Sequence, residues 1–162
     1  MYRIGHSTDL HRLKSGKTLV LGGVAMDSDY ESVGHSDADC LLHSMAEALL
    51  GALALGDLGT HFPDTDPSYK GLDSKKILQY AHDLIKSKNY HIVNLDSMVF
   101  LEQPKLKDYI LPMRQTIADL LDIGVSQVSI KATTGEKIGL VGTSQAIVCE
   151  TVCLLEKMEE LK

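Results

Sequence analysis

Alternating apolar and polar residues predict β-strands in five segments of the chain. The first two segments read YRIGHSTDLHRL and KTLVLGGVAM, with KSGK as the turn between them. HIVNLDSMVFLE follows in the middle of the chain. QVSIKATT and QAIVCETVCLL come last, separated by the glycine-rich stretch GEKIGLVGTS. A period of two residues is typical of strands that bury one face of a sheet.

Apolar residues recur every three or four positions in three other segments, which predicts three helices. The first covers residues 38–55, with Asp37 as its N-cap and Gly56 as its stop. The second covers Ser74–Ser87, and the third covers residues 109–121. The expected buried stripes are Leu42, Met45, Ala46, Leu49 and Leu53 in the first helix, and Ile77, Leu78, Ala81, Leu84 and Ile85 in the second.

The predicted element order ββααβαββ favours an α/β fold of the α+β kind, in which a mixed β-sheet has helices packed on one face. A chain of 162 residues is expected to form a single catalytic domain, residues 1–162. Two polar stretches, residues 27–37 and 56–73, are predicted loops. The length of the second stretch is more typical of a lid or a binding loop than of a simple connection.

Charge and composition narrow the classes of function. A net charge of −6 without any run of Lys or Arg argues against nucleic acid as a partner. An anionic ligand would therefore need metal ions, helix N-termini or a few lysines to meet its charge. No segment is long and apolar enough to cross a membrane, and the first residues lack a signal-peptide pattern, so a cytoplasmic protein is expected. The three cysteines are expected to be buried thiols.

An aspartate and two histidines form the most informative pattern. Asp9 and His11 are two residues apart on a predicted strand, so their side chains point to the same face. His43 lies in the first predicted helix, with Asp39 four residues before it and Glu47 four residues after it on one polar stripe. One carboxylate and two imidazoles suit Zn²⁺ with a fourth position left open. The alternative is a polar strand edge and an unrelated histidine on a helix surface.

Two further motifs are compatible with phosphate binding. His35 and Ser36 lie at the start of the helix that carries His43, where free N–H groups and the helix dipole favour an anion. Ordinary capping by Ser36 and Asp37 explains the same residues. In KATTGEKIGLVG, threonine hydroxyls and backbone N–H groups are available to phosphate oxygens, and Glu136 to a hard cation. An ordinary surface loop is the alternative there.

Three motifs together resemble one enzyme family over nearly the whole chain. GHSTDLH, GHSDADCLLHSMAEALLGALALGDLGTHFPDTDPSYKG and KATTGEKIGLVG have the order and spacing of the 2-C-methyl-D-erythritol 2,4-cyclodiphosphate synthases. The resemblance implies a phosphorus–oxygen lyase of the non-mevalonate isoprenoid precursor pathway. Its substrate would be 4-diphosphocytidyl-2-C-methyl-D-erythritol 2-phosphate, and CMP would be released. The resemblance further implies a homotrimer with sheets around a three-fold axis and active sites between neighbouring subunits.

The resemblance also assigns residues. It implies zinc on Asp9, His11 and His43, and a second divalent cation, magnesium or manganese, on Glu136. His35 and Thr134 would act in catalysis by positioning phosphates, and Asp39 and Glu47 would lie behind the metal ligands. The implied substrate contacts are Asp9, His11, His35, Ser36, Asp57, Leu58, Gly59, Phe62, Pro63, Asp64, Thr65, Asp66, Leu101, Pro104, Lys105, Leu106, Lys107, Ala132, Thr133, Thr134, Gly135, Glu136, Leu140 and Thr143.

The chain departs from the family pattern at a few of these positions. Glu47 replaces an aspartate, Gly135 replaces a threonine or asparagine, Leu140 replaces an aromatic residue and Thr143 replaces an arginine. None of these changes removes an implied metal ligand, but they bear on the cytidine pocket and on the trimer centre. Two other readings compete with the synthase: a zinc-dependent phosphohydrolase that activates water, and a non-catalytic trimer that binds a nucleotide.

Overall fold

The computed structural model describes residues 1–34, 36–63 and 65–159. Its strands are β1 (Tyr2–Ser15), β2 (Thr18–Leu21), β3 (Val24–Asp27), β4 (Tyr30–Val33), β5 (Tyr90–Phe100), β6 (Val128–Thr133) and β7 (Ala146–Lys157). Its helices are α1 (Cys40–Ala52), α2 (Leu58–His61), α3 (Ser74–Ser87), α4 (Ile110–Leu121) and α5 (Gly139–Gly142), with 3₁₀ turns at Pro67–Tyr69 and Val125–Gln127. No helix in these ranges has both the length and the apolar character needed to span a membrane.

The main sheet has five strands in the order β4-β1-β7-β5-β6. The pairs β1–β4, β1–β7 and β5–β7 are antiparallel, whereas β5 and β6 are parallel. The parallel pair needs a crossover, which α4 supplies. The predicted mixed sheet is therefore confirmed.

One face of this sheet is covered by helices. In β7, Cys149, Thr151 and Cys153 have no exposed surface, whereas Val152 between them is 44% exposed. In β1, Ile4 and Leu10 lie on the same uncovered face and are 72% and 54% exposed. The alternation in the sequence thus predicted the correct period, and the described chain leaves open one sheet face that carries several exposed apolar side chains.

Helix α1 is the central element of the core, which corrects the prediction of a single apolar stripe. It spans Cys40–Ala52 rather than residues 38–55, because Ala38 and Ala54 both adopt a left-handed backbone that cannot continue a helix. The helix is buried on nearly all sides, since the sheet covers one side and α3 packs on another. Its buried residues are Cys40, Leu41, Leu42, Ser44, Met45, Ala46, Ala48, Leu49, Leu50 and Ala52.

The segment KTLVLGGVAM, predicted as one strand, folds as the hairpin β2–β3, a separate two-stranded sheet. Gly22 and Gly23 form its turn with φ of 58° and 74°, a left-handed pair that glycine adopts at little cost. The fully buried carboxylate of Asp39 accepts hydrogen bonds from both glycine N–H groups, at 2.9 and 2.7 Å, and from Leu42 N at 3.1 Å. Asp39, not Asp37, is therefore the N-cap of α1, and it ties the hairpin to that helix.

The other helix predictions were closer. Helix α3 has the predicted bounds Ser74–Ser87, although Leu84 is only partly buried, and α4 starts one residue later than predicted. The two predicted loops contain further structure: β4 pairs with β1 inside residues 27–37, and α2 and a 3₁₀ turn lie inside residues 56–73.

Replacing Asp39 by Ala should lower the free energy of unfolding by about 3 kcal/mol, because three backbone N–H groups lose their acceptor in a buried site. Asp73→Ala, which removes the half-exposed N-cap of α3, is the matched control and should cost about 1 kcal/mol. Urea denaturation measures both values. Equal losses would show that the hairpin clamp contributes no more than an ordinary cap.

Candidate active site

The predicted metal ligands meet where β1 packs on α1. The ligand atoms of Asp9, His11 and His43 all lie within 4.8 Å of one another. Asp9 Oδ2 is 3.1 Å from His11 Nδ1 and 3.4 Å from His43 Nδ1, and the two imidazole centroids are 5.1 Å apart. Within the described parts of the chain, this is the one cluster of three such residues at that spacing.

The hydrogen-bonding pattern of these side chains fits a metal ion. Leu10 N donates to Asp9 Oδ1 at 2.8 Å, which leaves Oδ2 free. Asp9 Oδ2 and His11 Nδ1 are buried, and neither has a hydrogen-bond partner of acceptable geometry. Buried polar atoms without partners are unusual, and their convergence here is accounted for by a shared cation. The structure thus favours the metal-site hypothesis over the polar strand edge.

The ionisable groups of the cluster shift one another's pKa values. Burial by itself would raise the pKa of Asp9, but His11 and His43 hold that pKa far below its usual range. Burial by itself would lower the pKa of His11, but Asp9 and the Cys40 thiol raise it to about 10. A metal ion bound at this cluster would therefore compete with a proton for His11.

The cluster opens into a cavity of about 620 Å³. Eight of the predicted substrate contacts line it: Asp9, His11, Ser36, Leu58, Gly59, Phe62, Thr65 and Asp66. Apolar side chains, among them Val33 and Ile77, form another part of the wall. Sequence reasoning did not single out Tyr69 and Lys70, which also line the cavity, although both lie in the motif that carries the family resemblance.

The predicted lid packs through aromatic rings. Phe62 contacts Tyr69 and Tyr80 edge-on, with centroids 5.3 and 5.1 Å away. His61 Nδ1 lies 3.0 Å from the Tyr80 hydroxyl, and this contact attaches the predicted lid to α3. Asp57 does not line the cavity in this structure, because its carboxylate caps α2 by accepting hydrogen bonds from Thr60 N and Oγ1, which also lower its pKa. Pro63 does not line the cavity either.

Glu47 connects β1, the strand that carries Asp9 and His11, with the start of α2. Its Oε2 accepts a hydrogen bond from the Ser7 hydroxyl at 2.6 Å, and its Oε1 accepts one from Leu58 N at 3.3 Å. Glu47 also lines the cavity. Asp39 makes no such contact, because its carboxylate is bonded to the hairpin turn and to the first turn of α1.

A second cavity, of about 290 Å³, lies beside β6. It brings together eight of the predicted nucleotide contacts: Leu101, Pro104, Lys105, Leu106, Lys107, Ala132, Thr133 and Thr134. No described residue lines both this cavity and the first one, into which the cluster of Asp9, His11 and His43 opens and which we call the metal cavity. A single chain therefore presents the two predicted parts of the site as separate pockets.

The glycine-rich loop next to the second cavity is tightly built. Glu136 and Lys137 both have positive φ, in a turn closed by the hydrogen bond from Ile138 N to Gly135 O at 2.8 Å. A Cβ atom on Gly135 would lie 2.4 Å from Gly142 N, so this backbone admits only glycine at the position where the sequence resemblance leads one to expect threonine or asparagine. Gly135 N also donates to Glu102 Oε2 at 3.0 Å, a contact that sequence reasoning missed.

Glu136, Leu140 and Thr143, also predicted site residues, line neither of these two cavities. Glu136 is exposed, and its Oε1 accepts a hydrogen bond from the Thr134 hydroxyl at 3.3 Å. Leu140 is 57% exposed, and the Thr143 hydroxyl donates to Gly139 O at 2.7 Å. His35 and Asp64 lie outside the described residues.

Comparison with known proteins identifies the family. A model described as the YgbB family matches residues 2–156, and the chain belongs to this family. Relatives named 2-C-methyl-D-erythritol 2,4-cyclodiphosphate synthase are similar over nearly their whole length. The protein of Natranaerobius thermophilus is 53% identical over 156 residues, which is 96% of this chain and 99% of the relative. The protein of Chloroherpeton thalassium is 49% identical, with the same coverage of each chain.

Solved structures share the fold. The bifunctional IspDF from Campylobacter jejuni matches 98% of this chain with a TM-score of 0.94 and 33% identity, although this chain covers only 43% of that longer one. A CDP complex of IspF from Plasmodium falciparum matches 98% of this chain and 97% of its own, with a TM-score of 0.86 and 37% identity.

His43→Ala should abolish tight binding of a divalent metal, because it removes one of three protein ligands. His91→Ala is the matched control, since His91 is exposed and lies outside the cluster. Metal content per chain, measured by inductively coupled plasma mass spectrometry after dialysis, separates the variants. A His43→Ala protein that retains as much metal as the control would refute the ligand assignment.

Proposed function

We propose that this chain converts 4-diphosphocytidyl-2-C-methyl-D-erythritol 2-phosphate into 2-C-methyl-D-erythritol 2,4-cyclodiphosphate and CMP, in the non-mevalonate pathway to isoprenoid precursors. The observation that carries the proposal is the convergence of Asp9, His11 and His43 on a cavity, in a chain 53% identical to a protein with this name. The reaction is an intramolecular phosphoryl transfer. An oxygen of the 2-phosphate bonds to the β-phosphorus, and the bond from that phosphorus to the oxygen bridging to CMP breaks.

The nucleophile of this reaction is already an anionic phosphate, so a strong general base is not needed. The protein has to bring two anionic groups together and to compensate the charge that develops on the leaving phosphate. Zinc on Asp9, His11 and His43, with magnesium or manganese on Glu136, would supply that positive charge. The net charge of −6 supports this assignment, because acidic residues outnumber basic ones in this chain.

The metal cavity has the chemistry to hold the sugar phosphate. Thr65 and Asp66 offer polar groups to the methylerythritol hydroxyls, and Ser36 offers a hydroxyl next to His43. Val33, Leu58 and Phe62 form an apolar wall suited to the methyl group. Lys70 is placed at the same cavity, where an ammonium group favours a phosphate. His35 is proposed to act here too, on the family resemblance alone.

The second cavity is the proposed site of the cytidine. Lys105 and Lys107 lie in its wall beside apolar residues such as Leu101 and Ile130, a combination suited to a base and its phosphate. The solved relative from Plasmodium falciparum was obtained as a CDP complex, which supports a cytidine nucleotide as ligand. Thr134, in the same wall, is proposed to position the phosphate that leaves with CMP.

We also propose that the active unit is a homotrimer, with each site completed by a neighbouring chain. Ile4, Leu10 and Val152 are exposed apolar side chains on an open sheet face that a monomer would leave in water. Packing three such faces around a three-fold axis would bury it. The separation of the metal cavity from the cytidine cavity is consistent with one chain supplying each part of a shared site.

Incubation with 4-diphosphocytidyl-2-C-methyl-D-erythritol 2-phosphate tests the function. Mass spectrometry should detect CMP and the cyclic diphosphate in equal amounts. A chelator, or His43→Ala, should slow their formation by roughly 100-fold or more, whereas His91→Ala should leave it unchanged. Inorganic phosphate as the product would indicate a phosphohydrolase. Nucleotide binding without any product would indicate a non-catalytic protein, and either result would overturn the proposal.

A further inference from the structure

A buried serine links the metal ligand His43 to a carboxylate. His43 Nδ1 faces Asp9, and its other ring nitrogen, Nε2, lies 2.8 Å from Ser74 Oγ. Ser74 is the first residue of α3 and has no exposed surface. The Ser74 hydroxyl also contacts Asp37 Oδ1 in a short hydrogen bond. The chain of contacts Asp37–Ser74–His43 therefore ends at the metal cluster.

The direction of these hydrogen bonds follows from the donors that are available. An ionised carboxylate only accepts, so the single proton of the Ser74 hydroxyl points to Asp37. Ser74 Oγ must then accept its bond from His43 Nε2–H. The Nε2 proton of His43 is thereby held by Ser74, and Nδ1 lies on the side of Asp9 and His11, where a metal would bind.

Backbone contacts hold this arrangement in place. Ser74 N donates to Asp37 Oδ2 at 3.2 Å, and Asp37 N donates to Leu72 O at 3.2 Å. Ser36 Oγ lies 3.1 Å from His43 Nε2, but it accepts a hydrogen bond from Ala38 N and reaches no carboxylate. The segment before α1 is thus joined to the start of α3 on the far side of the His43 ring.

We propose that Ser74 and Asp37 are positioning residues, which select the His43 tautomer and fix the ring for metal binding. The inference rests on the metal site of the proposed function. Histidine ligands commonly donate their second N–H to a carboxylate or a carbonyl oxygen, and loss of such partners weakens metal binding. Here a serine hydroxyl stands between the histidine and the carboxylate. Ser74 directly follows the predicted lid, residues 56–73. Its hydrogen bond with His43 therefore attaches the end of that segment to a proposed metal ligand.

Zinc affinity, measured by competition with a chromogenic chelator, gives the first test. Ser74→Ala should weaken zinc binding roughly 10- to 100-fold, and Asp37→Ala should act in the same direction. Ser44→Ala is the matched control. Ser44 is also fully buried and is the residue after His43, but its hydroxyl bonds to Thr151 and Leu41 instead. Equal losses in the Ser74 and Ser44 variants, or no loss with Ser74→Ala, would overturn the proposal.

The protonated ring nitrogen of His43 gives a second test. In zinc-loaded protein with ¹⁵N-labelled histidine, long-range proton–nitrogen spectra should show His43 protonated on Nε2. Ser74→Ala should make this proton exchange faster with water, because the proton loses its buried acceptor. A His43 protonated on Nδ1 in the unaltered chain would refute the inference. Neither test measures turnover, so a chain that binds zinc as predicted but releases no CMP would refute only the proposed function.

Discussion

The close approach of α1 to β1 determines where the side chains of Asp9, His11 and His43 meet. A Cβ atom on Gly5 would lie 1.9 Å from Ala48 O, so glycine is required for the helix to lie this near the strand. The Cys40 thiol donates to Asp9 O at 3.3 Å and fixes the start of the same helix beside the D-x-H motif. The position of α1 along β1 is thus set at both ends, and His43 is placed opposite Asp9 and His11.

This packing gathers the proposed metal ligands at one cavity of an acidic chain. Two of the three proposed ligands, Asp9 and His43, are held by hydrogen bonds on the side away from the cluster. Leu10 N occupies the second oxygen of Asp9, and Ser74 occupies the second nitrogen of His43. Glu47 joins Ser7, two residues before Asp9, to the start of α2 at the rim of the cavity. The proposed metal ligands therefore form one supported cluster, while the proposed nucleotide pocket lies in another part of the chain.

Local rules predicted the elements whose determinants are local. Helix α3 was placed correctly because Asp73 caps it and its apolar residues follow a clear helical period. The D-x-H pair and His43 were found because the strand and helix periods themselves place side chains. In contrast, Asp37 and Asp39 are equally good caps by sequence, and only contact with the Gly22–Gly23 turn decides between them. Ser74 was missed because its partner His43 lies 31 residues away.

A site divided between two chains can be tested directly by mixing two inactive variants. His43→Ala damages the metal cavity, and Thr134→Ala damages the nucleotide cavity. If each site combines the metal cavity of one chain with the nucleotide cavity of its neighbour, equal co-expression leaves both parts intact in about a quarter of the sites. We therefore expect the mixed protein to release CMP at about a quarter of the rate of the unaltered chain. A rate no higher than the mean of the two variants alone would contradict a site shared between subunits.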